Sequence, residues 1–163
     1  MNKTEYNKLV QKSIKAQKIW QDVPVPRRGE LIRYLALRFG HYKQDLAADI
    51  TRESRKVILE AHGEVQEAID MCNFGVGLSR QLYGLTMPSE RQNHRLQEMW
   101  HPLGVVGVIS AFNFPVAVWC WNTALAWICG DTCIWKPSEK TPLCGIACQN
   151  IWAEVAEENN LPE

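Results

Sequence analysis

The sequence predicts an α/β protein in which a helical N-terminal lead-in precedes the first β-α-β-α units of a Rossmann-like parallel sheet. Charged residues are concentrated in residues 1–99, whereas no charged side chain occurs from Leu103 to Gly130. From residue 103 onward, strand-like and helix-like patterns alternate, as expected of parallel strands joined by helices. We therefore divide the chain into a lead-in over residues 1–99 and the first half of an α/β layer over residues 100–163.

Apolar residues recur at helical spacing in four segments of the lead-in. The first segment runs from Tyr6 to Trp20, and prolines at positions 24 and 26 follow it. The next two lie at residues 31–40 and 46–50, and the longest covers residues 55–83. In that longest segment the apolar stripe indicates a helix face packed on neighbouring helices.

The α/β layer begins with a predicted buried strand at residues 104–112, which is β-branched and does not alternate with polar residues. A helix is predicted from Pro115 to Cys129, with the proline in its first turn. A second strand follows at residues 131–136. The last predicted helix runs from Pro142 to Ala156, with Thr141 as a plausible N-cap.

The uncharged stretch has a second interpretation. Its 28 residues exceed the length of a membrane-spanning helix, which needs about 20 apolar residues. Pro115 divides the stretch, however, and neither piece alone reaches that length. We expect no membrane association, with a membrane segment kept as a less favoured alternative.

Composition limits the partners and the compartment. Apolar residues make up 46% of the chain, and 18 basic side chains balance 18 acidic ones, so no charge pattern for nucleic acid is present. The six cysteines lie in apolar or helix-like surroundings, and no hydrophobic leader is found, which favours a cytoplasmic location. Two cysteine pairs have a spacing of four rather than the closer spacing typical of zinc sites, so we predict buried thiols and no metal.

Polar residues stand where both predicted strands end, at the edge where open α/β sheets bind ligands. Asn113 follows the first strand. It is either a turn residue that satisfies local backbone or a donor of two N–H groups to a developing oxyanion. Lys136 and Glu139 follow the second strand, and they are either the two sides of a ribose site or part of a solvated loop.

Two stretches together resemble the NAD(P)-dependent aldehyde dehydrogenase superfamily: residues 102–115 (PLGVVGVISAFNFP) and residues 130–142 (GDTCIWKPSEKTP). The resemblance extends from about Tyr6 to Pro162. Further stretches are similar to the antiquitin branch, whose members oxidise α-aminoadipic semialdehyde: GEVQE at 63–67, GVGLSR at 75–80, PSER at 88–91 and AFNFPVAV at 111–118. The fold implied is an incomplete aldehyde dehydrogenase fold.

This resemblance implies roles for the residues at the sheet edge. Asn113 matches the oxyanion-hole asparagine. The residues that match the nicotinamide side of the cofactor site are Ser110, Ala111 and Phe112. Those that match the adenosine-ribose site are Lys136, Pro137, Ser138 and Glu139. Because a carboxylate repels a 2′-phosphate, we expect NAD rather than NADP.

The resemblance also implies substrate residues. Phe114, Ala117 and Trp121 match the aldehyde tunnel, and their offsets of three and four predict a shared helix face. Glu67 matches the acidic residue that recognises the amino group of the semialdehyde. The resemblance therefore implies a small-molecule aldehyde as the binding partner. It also implies that the complete enzyme is a homo-oligomer, either a dimer or a tetramer.

The mechanism of the family is covalent: a cysteine thiolate attacks the aldehyde, hydride passes to NAD, and water activated by a glutamate hydrolyses the thioester. The Gly-Gln-x-Cys and Glu-Leu-Gly-Gly sequences that hold these two groups do not occur here. We therefore expect the N-terminal portion of a dehydrogenase, inactive by itself, with its catalytic and oligomerisation domains absent. The alternatives are a truncated non-catalytic partner of a full-length subunit and an acyl-CoA-forming relative.

Two residues depart from the family pattern. Arg55 stands where a Thr-x-Glu-x-Gly-Lys stretch usually has glycine, although Thr51, Glu53 and Lys56 agree with it. Glu163 replaces a glycine that usually follows Leu-Pro. Neither departure touches the cofactor motifs.

Overall fold

The computed structural model describes residues 1–161, so Glu163 and its departure from the family pattern lie outside the described residues. Four helices form the lead-in: α1 (Lys3–Trp20), α2 (Val25–His41), α3 (Lys43–Ser54) and α4 (Ile58–Leu78). All four predicted helices are present. Helix α2 begins six residues before its first predicted apolar position, because Pro24 caps it and Pro26 lies in its first turn, where proline is tolerated.

The layer follows the predicted order of strand, helix, strand and helix. Its elements are β3 (Val105–Ile109), α5 (Ala117–Cys129), β4 (Thr132–Lys136) and α6 (Pro142–Glu158). They come after a short antiparallel hairpin that the sequence did not indicate, β1 (Thr86–Met87) with β2 (Leu96–Gln97). Strands β3 and β4 are parallel, with α5 as the crossover that a parallel pair requires.

The lead-in and the layer share one hydrophobic core. Helices α2, α3 and α4 contribute fully buried side chains such as Phe39 and Ile50, and α5 and α6 pack against them. Tryptophans bridge the elements of the layer: Trp119 stacks on Trp135 with ring centroids 5.1 Å apart, and Trp127 stacks on Trp152 at 4.0 Å. Because the core is continuous, the lead-in fixes the positions of α5 and α6.

Helix α1 packs less than its apolar stripe predicted. Trp20 is buried and donates from Nε1 to the carbonyl oxygen of Trp127 at 2.9 Å, but Tyr6 is 47% exposed. Between α1, β4 and α6 lies a groove of about 740 Å³ lined by Leu9, Trp135 and several other apolar residues. Of the predicted apolar stripe of α1, Tyr6 and Leu9 are exposed within residues 1–161, and Val10 and Ile14 are half-buried.

A buried arginine from α2 closes the carboxyl end of α5. Arg28 is 4% exposed, and its Nε donates to the carbonyl oxygen of Ile128 at 3.0 Å. A cation is favourable at this end of a helix, where carbonyl groups lack partners. The helix ends at Gly130 with φ of 95°, and a Cβ there would lie 3.4 Å from the guanidinium of Arg28. The arginine and the glycine together set where α5 stops.

None of the helices in residues 1–161 combines the length and apolar character needed to cross a membrane. The helix within the uncharged stretch, α5, has 13 residues.

Candidate functional site at the carboxyl edge of the sheet

The two loops predicted to carry the site lie side by side. The parallel register pairs Ile109 with Lys136, so β3 and β4 end at the same level. The backbone N–H of Ser110 donates to the carbonyl oxygen of Lys136 at 3.3 Å, which extends the pairing by one residue. The segments 110–113 and 136–139 therefore leave the sheet together, as the sequence predicted.

The first loop combines a fixed base with an exposed tip. Ser110 is 6% exposed, and its Oγ accepts a hydrogen bond from Nε1 of Trp135 at 2.9 Å. Ala111, Phe112 and Asn113 are exposed. The Asn113 amide therefore lies on a turn at the sheet edge, where a ligand can reach it.

The second loop carries an exposed ion pair. Lys136 Nζ lies 3.2 Å from Glu139 Oε2, and both side chains are more than half exposed. A hydrogen bond with its own backbone, followed by the bond from Lys136, lowers the pKa of Glu139 from its usual value. Ser138 is 7% exposed, and its Oγ accepts from the backbone N–H of Lys140 at 3.2 Å. The loop thus has a rigid base and presents one ammonium and one carboxylate to solvent.

Helix α5 does not begin as the sequence predicted. Pro115 lies in a turn, and the first helical residue is Ala117. The reason is Glu64 on α4, whose Oε1 accepts from the backbone N–H groups of Val116 at 2.8 Å and Ala117 at 3.2 Å. A carboxylate that binds these free N–H groups caps the helix at this point in place of a local side chain.

Three side chains meet beside this turn. The second oxygen of Glu64 lies 2.5 Å from Lys56 Nζ, and that ammonium lies 3.8 Å from the ring centroid of Phe114. The ring of Phe114 is 6.3 Å from that of Trp121. The predicted tunnel pair Phe114 and Trp121 is thus brought together, but Phe114 reaches Trp121 from the turn before α5 rather than from a shared helix face. Ala117 is fully buried.

Helix α6 is also capped by a distant glutamate. Thr141 occupies the predicted N-cap position, but its side chain makes no capping hydrogen bond, and its buried hydroxyl has no partner among residues 1–161. Instead, Glu53 on α3 accepts from the backbone N–H groups of Leu143 and Cys144, each at 2.9 Å. Two carboxylate bonds satisfy the first turn of α6, which leaves no role for the threonine oxygen.

The two capped helix starts limit how a dinucleotide can bind. In many doubly wound proteins the pyrophosphate lies at the N-terminus of a helix that follows a strand. Here Glu64 and Glu53 occupy both such positions and would repel a phosphate. The groups left to hold a nucleotide at this edge are the exposed loop residues, including Lys136 and Glu139.

The remaining predicted site residue, Glu67, is exposed on α4, one turn beyond Glu64. Of the cysteines predicted to be buried thiols, Cys144 and Cys148 are buried, whereas Cys129 is exposed. Burial raises the pKa of Cys133 to about 12 and also raises the pKa of Cys144 and Cys148. Within residues 1–161 no three His, Cys, Asp or Glu side chains cluster closely enough to hold a metal ion.

Sequence reasoning missed Glu64, Lys56 and Glu53 as parts of this edge. One signal was available for Glu64, since it falls within the apolar stripe of α4 beside Ala61 and Val65. A lone acid on a buried helix face needs partners. The stripe does not tell which partners, because Val116 lies 52 residues further along the chain.

The helical lead-in followed by a parallel βαβ unit is the arrangement of an α/β protein of the Rossmann-like class. The model of the aldehyde dehydrogenase family matches residues 1–163, and the chain belongs to that family. It is 46% identical over 158 residues to the bovine alpha-aminoadipic semialdehyde dehydrogenase. The matched region covers 97% of this chain and 29% of the bovine protein. The chain is 50% identical over 147 residues to aldehyde dehydrogenase family 7 member A1 of Brassica napus, with 90% and 30% coverage.

Solved structures support the same fold. The NADP-dependent glyceraldehyde-3-phosphate dehydrogenase of Bacillus halodurans C-125, complexed with NADP, superposes with a TM-score of 0.87 and 28% identity, covering 94% of this chain and 33% of that one. A glyceraldehyde-3-phosphate dehydrogenase of Methanocaldococcus jannaschii shares the fold at a TM-score of 0.94 and 23% identity, covering 99% and 35%. The chain therefore spans about a third of the length of these proteins.

Proposed function

We propose that this chain forms the cofactor-facing part of an NAD-dependent dehydrogenase that oxidises α-aminoadipic semialdehyde to the carboxylate through a cysteine thioester. The observation that supports the proposal is that β3 and β4 end at the same level, so that the loops containing Asn113 and the Lys136–Glu139 pair leave the same edge of the sheet. The bovine relative's name supports the choice of substrate. The Gly-Gln-x-Cys and Glu-Leu-Gly-Gly sequences of the nucleophile and the general base do not occur in these 163 residues.

In this proposal each loop has one task. The two N–H groups of Asn113 stabilise the oxyanion that forms when the aldehyde is attacked. Ser110, Ala111 and Phe112 line the nicotinamide side. The ribose residues Lys136, Pro137, Ser138 and Glu139 hold the adenosine half, with the ammonium and the carboxylate binding the two hydroxyls. The cofactor accepts the hydride.

The proposal also assigns the substrate residues. In this proposal the paired rings of Phe114 and Trp121 form an apolar wall for the aldehyde chain, together with Ala117, and Glu67 binds the amino group. Trp121 Nε1 is buried without a partner among the described residues, so the wall also offers one N–H donor. We place the complete enzyme in the cytoplasm as a homo-oligomer.

Activity is tested by placing residues 1–161 in the bovine relative in place of its matching segment. We expect the chimera to form NADH from α-aminoadipic semialdehyde. Asn113→Ala should lower kcat by about 10²- to 10³-fold, as loss of an oxyanion donor does. Asn122→Ala is the control, because Asn122 is an exposed asparagine on α5 whose side chain donates to the local carbonyl of Val118. Equal kcat for Asn113→Ala and the control would refute the oxyanion role.

Cofactor choice is tested separately. Because the exposed Glu139 carboxylate is charged at neutral pH and repels a 2′-phosphate, we expect calorimetry to show tighter binding of NAD than of NADP by this chain. Glu139→Gln should remove most of that difference, since a neutral amide does not repel a 2′-phosphate. Glu157→Gln, an exposed glutamate on α6, is the control. Tighter NADP binding by the unchanged chain would reverse the assignment.

A further inference from the structure

We propose that Glu64 and Lys56 form a positioning pair that fixes the turn carrying Asn113. The proposal deepens the function above, because it rests on the oxyanion role of Asn113. Neither residue is placed at the reacting atoms; both act through the backbone and the side chain that flank Asn113.

Glu64 holds the far side of the turn. It is 2% exposed, so its carboxylate has exchanged water for protein partners. One oxygen accepts from the N–H groups of Val116 and Ala117, and the other accepts from Lys56. Val116 and Ala117 are the third and fourth residues after Asn113, so a single buried carboxylate fixes the chain as it enters α5.

Lys56 holds the near side. Its side chain is 13% exposed, and its ammonium lies 3.8 Å from the ring centroid of Phe114, the residue directly after Asn113. A cation over an aromatic face is attracted to it, more strongly when water is excluded. Since the same ammonium pairs with Glu64, the two contacts on the turn depend on each other.

The geometry exceeds what helix capping requires. A local Ser, Thr or Asp side chain is sufficient for an ordinary cap, yet α5 has none, and its cap comes from 52 residues away. The turn is exposed at Asn113, while the residues that follow Asn113 are held by Glu64 and Lys56. An oxyanion donor needs this arrangement, because small displacements of a catalytic group are costly in rate.

The experiment measures the turn directly in this chain, without substrate or cofactor. Amide hydrogen exchange reports on Val116 and Ala117, and ¹⁵N relaxation reports on the side-chain amide of Asn113. The variants are Glu64→Gln, Lys56→Met and the conservative Lys56→Arg. Glu60→Gln, an exposed glutamate one turn earlier on α4, is the matched control.

We expect Glu64→Gln to speed exchange at Val116 and Ala117 by at least about tenfold relative to later α5 amides, because a charge-assisted bond to both is lost. Lys56→Met should increase the motion of the Asn113 side chain, while the amides of Val116 and Ala117 stay better protected than in Glu64→Gln. Lys56→Arg should return the motion of Asn113 to that of the unchanged chain. If Glu64→Gln does not fold, the lysine variants decide the question.

Unchanged Asn113 relaxation in both Glu64→Gln and Lys56→Met would overturn the proposal, as would a uniform rise in exchange along α5. The control should match the unchanged chain. These readouts do not involve catalysis. An active Asn113→Ala chimera would therefore refute the oxyanion role, but it would not change the measured effect of Glu64 and Lys56 on the motion of the turn.

Discussion

Arg55 has an unusual backbone conformation for a residue with a side chain. It ends α3 with φ of 64°, in the left-handed region where a side chain is disfavoured. The sequence placed Arg55 where the family usually has glycine, and the structure supplies the physical reason, since glycine adopts this conformation without strain. Residue types alone predicted Asn113, Lys136 and Glu139 as neighbours, but they gave no sign that Arg55 lies in a helix-ending conformation.

We expect Arg55→Gly to stabilise the chain by about 0.5–1 kcal/mol, because relief of the left-handed strain exceeds the entropy that glycine adds to the unfolded state. Ala48→Gly, at an exposed position inside the same helix, should instead cost about 1 kcal/mol. Urea unfolding of both variants measures the difference. Destabilisation by Arg55→Gly would show that the arginine side chain contributes contacts that outweigh the strain.

Secondary-structure elements were predictable where their signal is local. Helical periodicity located the four helices of the lead-in, an apolar run after a proline located α5, and the run of β-branched residues located β3. The start of α5 was predicted two residues too early, because Glu64 caps it from 52 residues away. The start of α6 at Pro142 was predicted correctly, but its capping carboxylate was not, because Glu53 lies 91 residues from Cys144. The hairpin of β1 and β2 was missed because two-residue strands carry too little pattern to detect.

The two candidate caps of α6 can be separated by mutation. Thr141→Val should change the free energy of unfolding by less than about 0.5 kcal/mol, because the threonine hydroxyl is buried without a partner. Glu53→Gln should cost about 1–3 kcal/mol, since it leaves a backbone N–H of the first turn without its carboxylate. Thermal or urea unfolding compares them. A larger cost for Thr141→Val would restore the threonine as the cap.

The molecule as a whole leaves much apolar surface uncovered within residues 1–161. Leu103 is 90% exposed and Ile109 is 81% exposed, and the sheet of β3 and β4 has no further strand on either side. Open strand edges and apolar faces favour association with another chain. The periodicity of a sequence shows which helix face is apolar but does not show what covers that face.

We therefore expect this chain to sediment as a dimer or larger species. Ile109→Lys, at the end of β3, should shift the distribution toward monomer, because a lysine on a strand edge disfavours pairing. Leu37→Lys, at an exposed position on α2, serves as the control. Analytical ultracentrifugation over a range of concentrations measures both. A monomer at every concentration, with a cooperative unfolding transition, would contradict this expectation.

The charged groups that close both ends of α5 and begin α6 all precede these helices in the chain. Arg28, Glu53 and Glu64 are contributed by α2, α3 and α4, and Arg28 is 100 residues from the carbonyl it binds. During synthesis on the ribosome, these partners emerge long before the helices that need them. Contacts of such long sequence separation slow folding, and the N-terminal part folds first. The charged side chains of the lead-in are thus already present when the helices that they cap are synthesised.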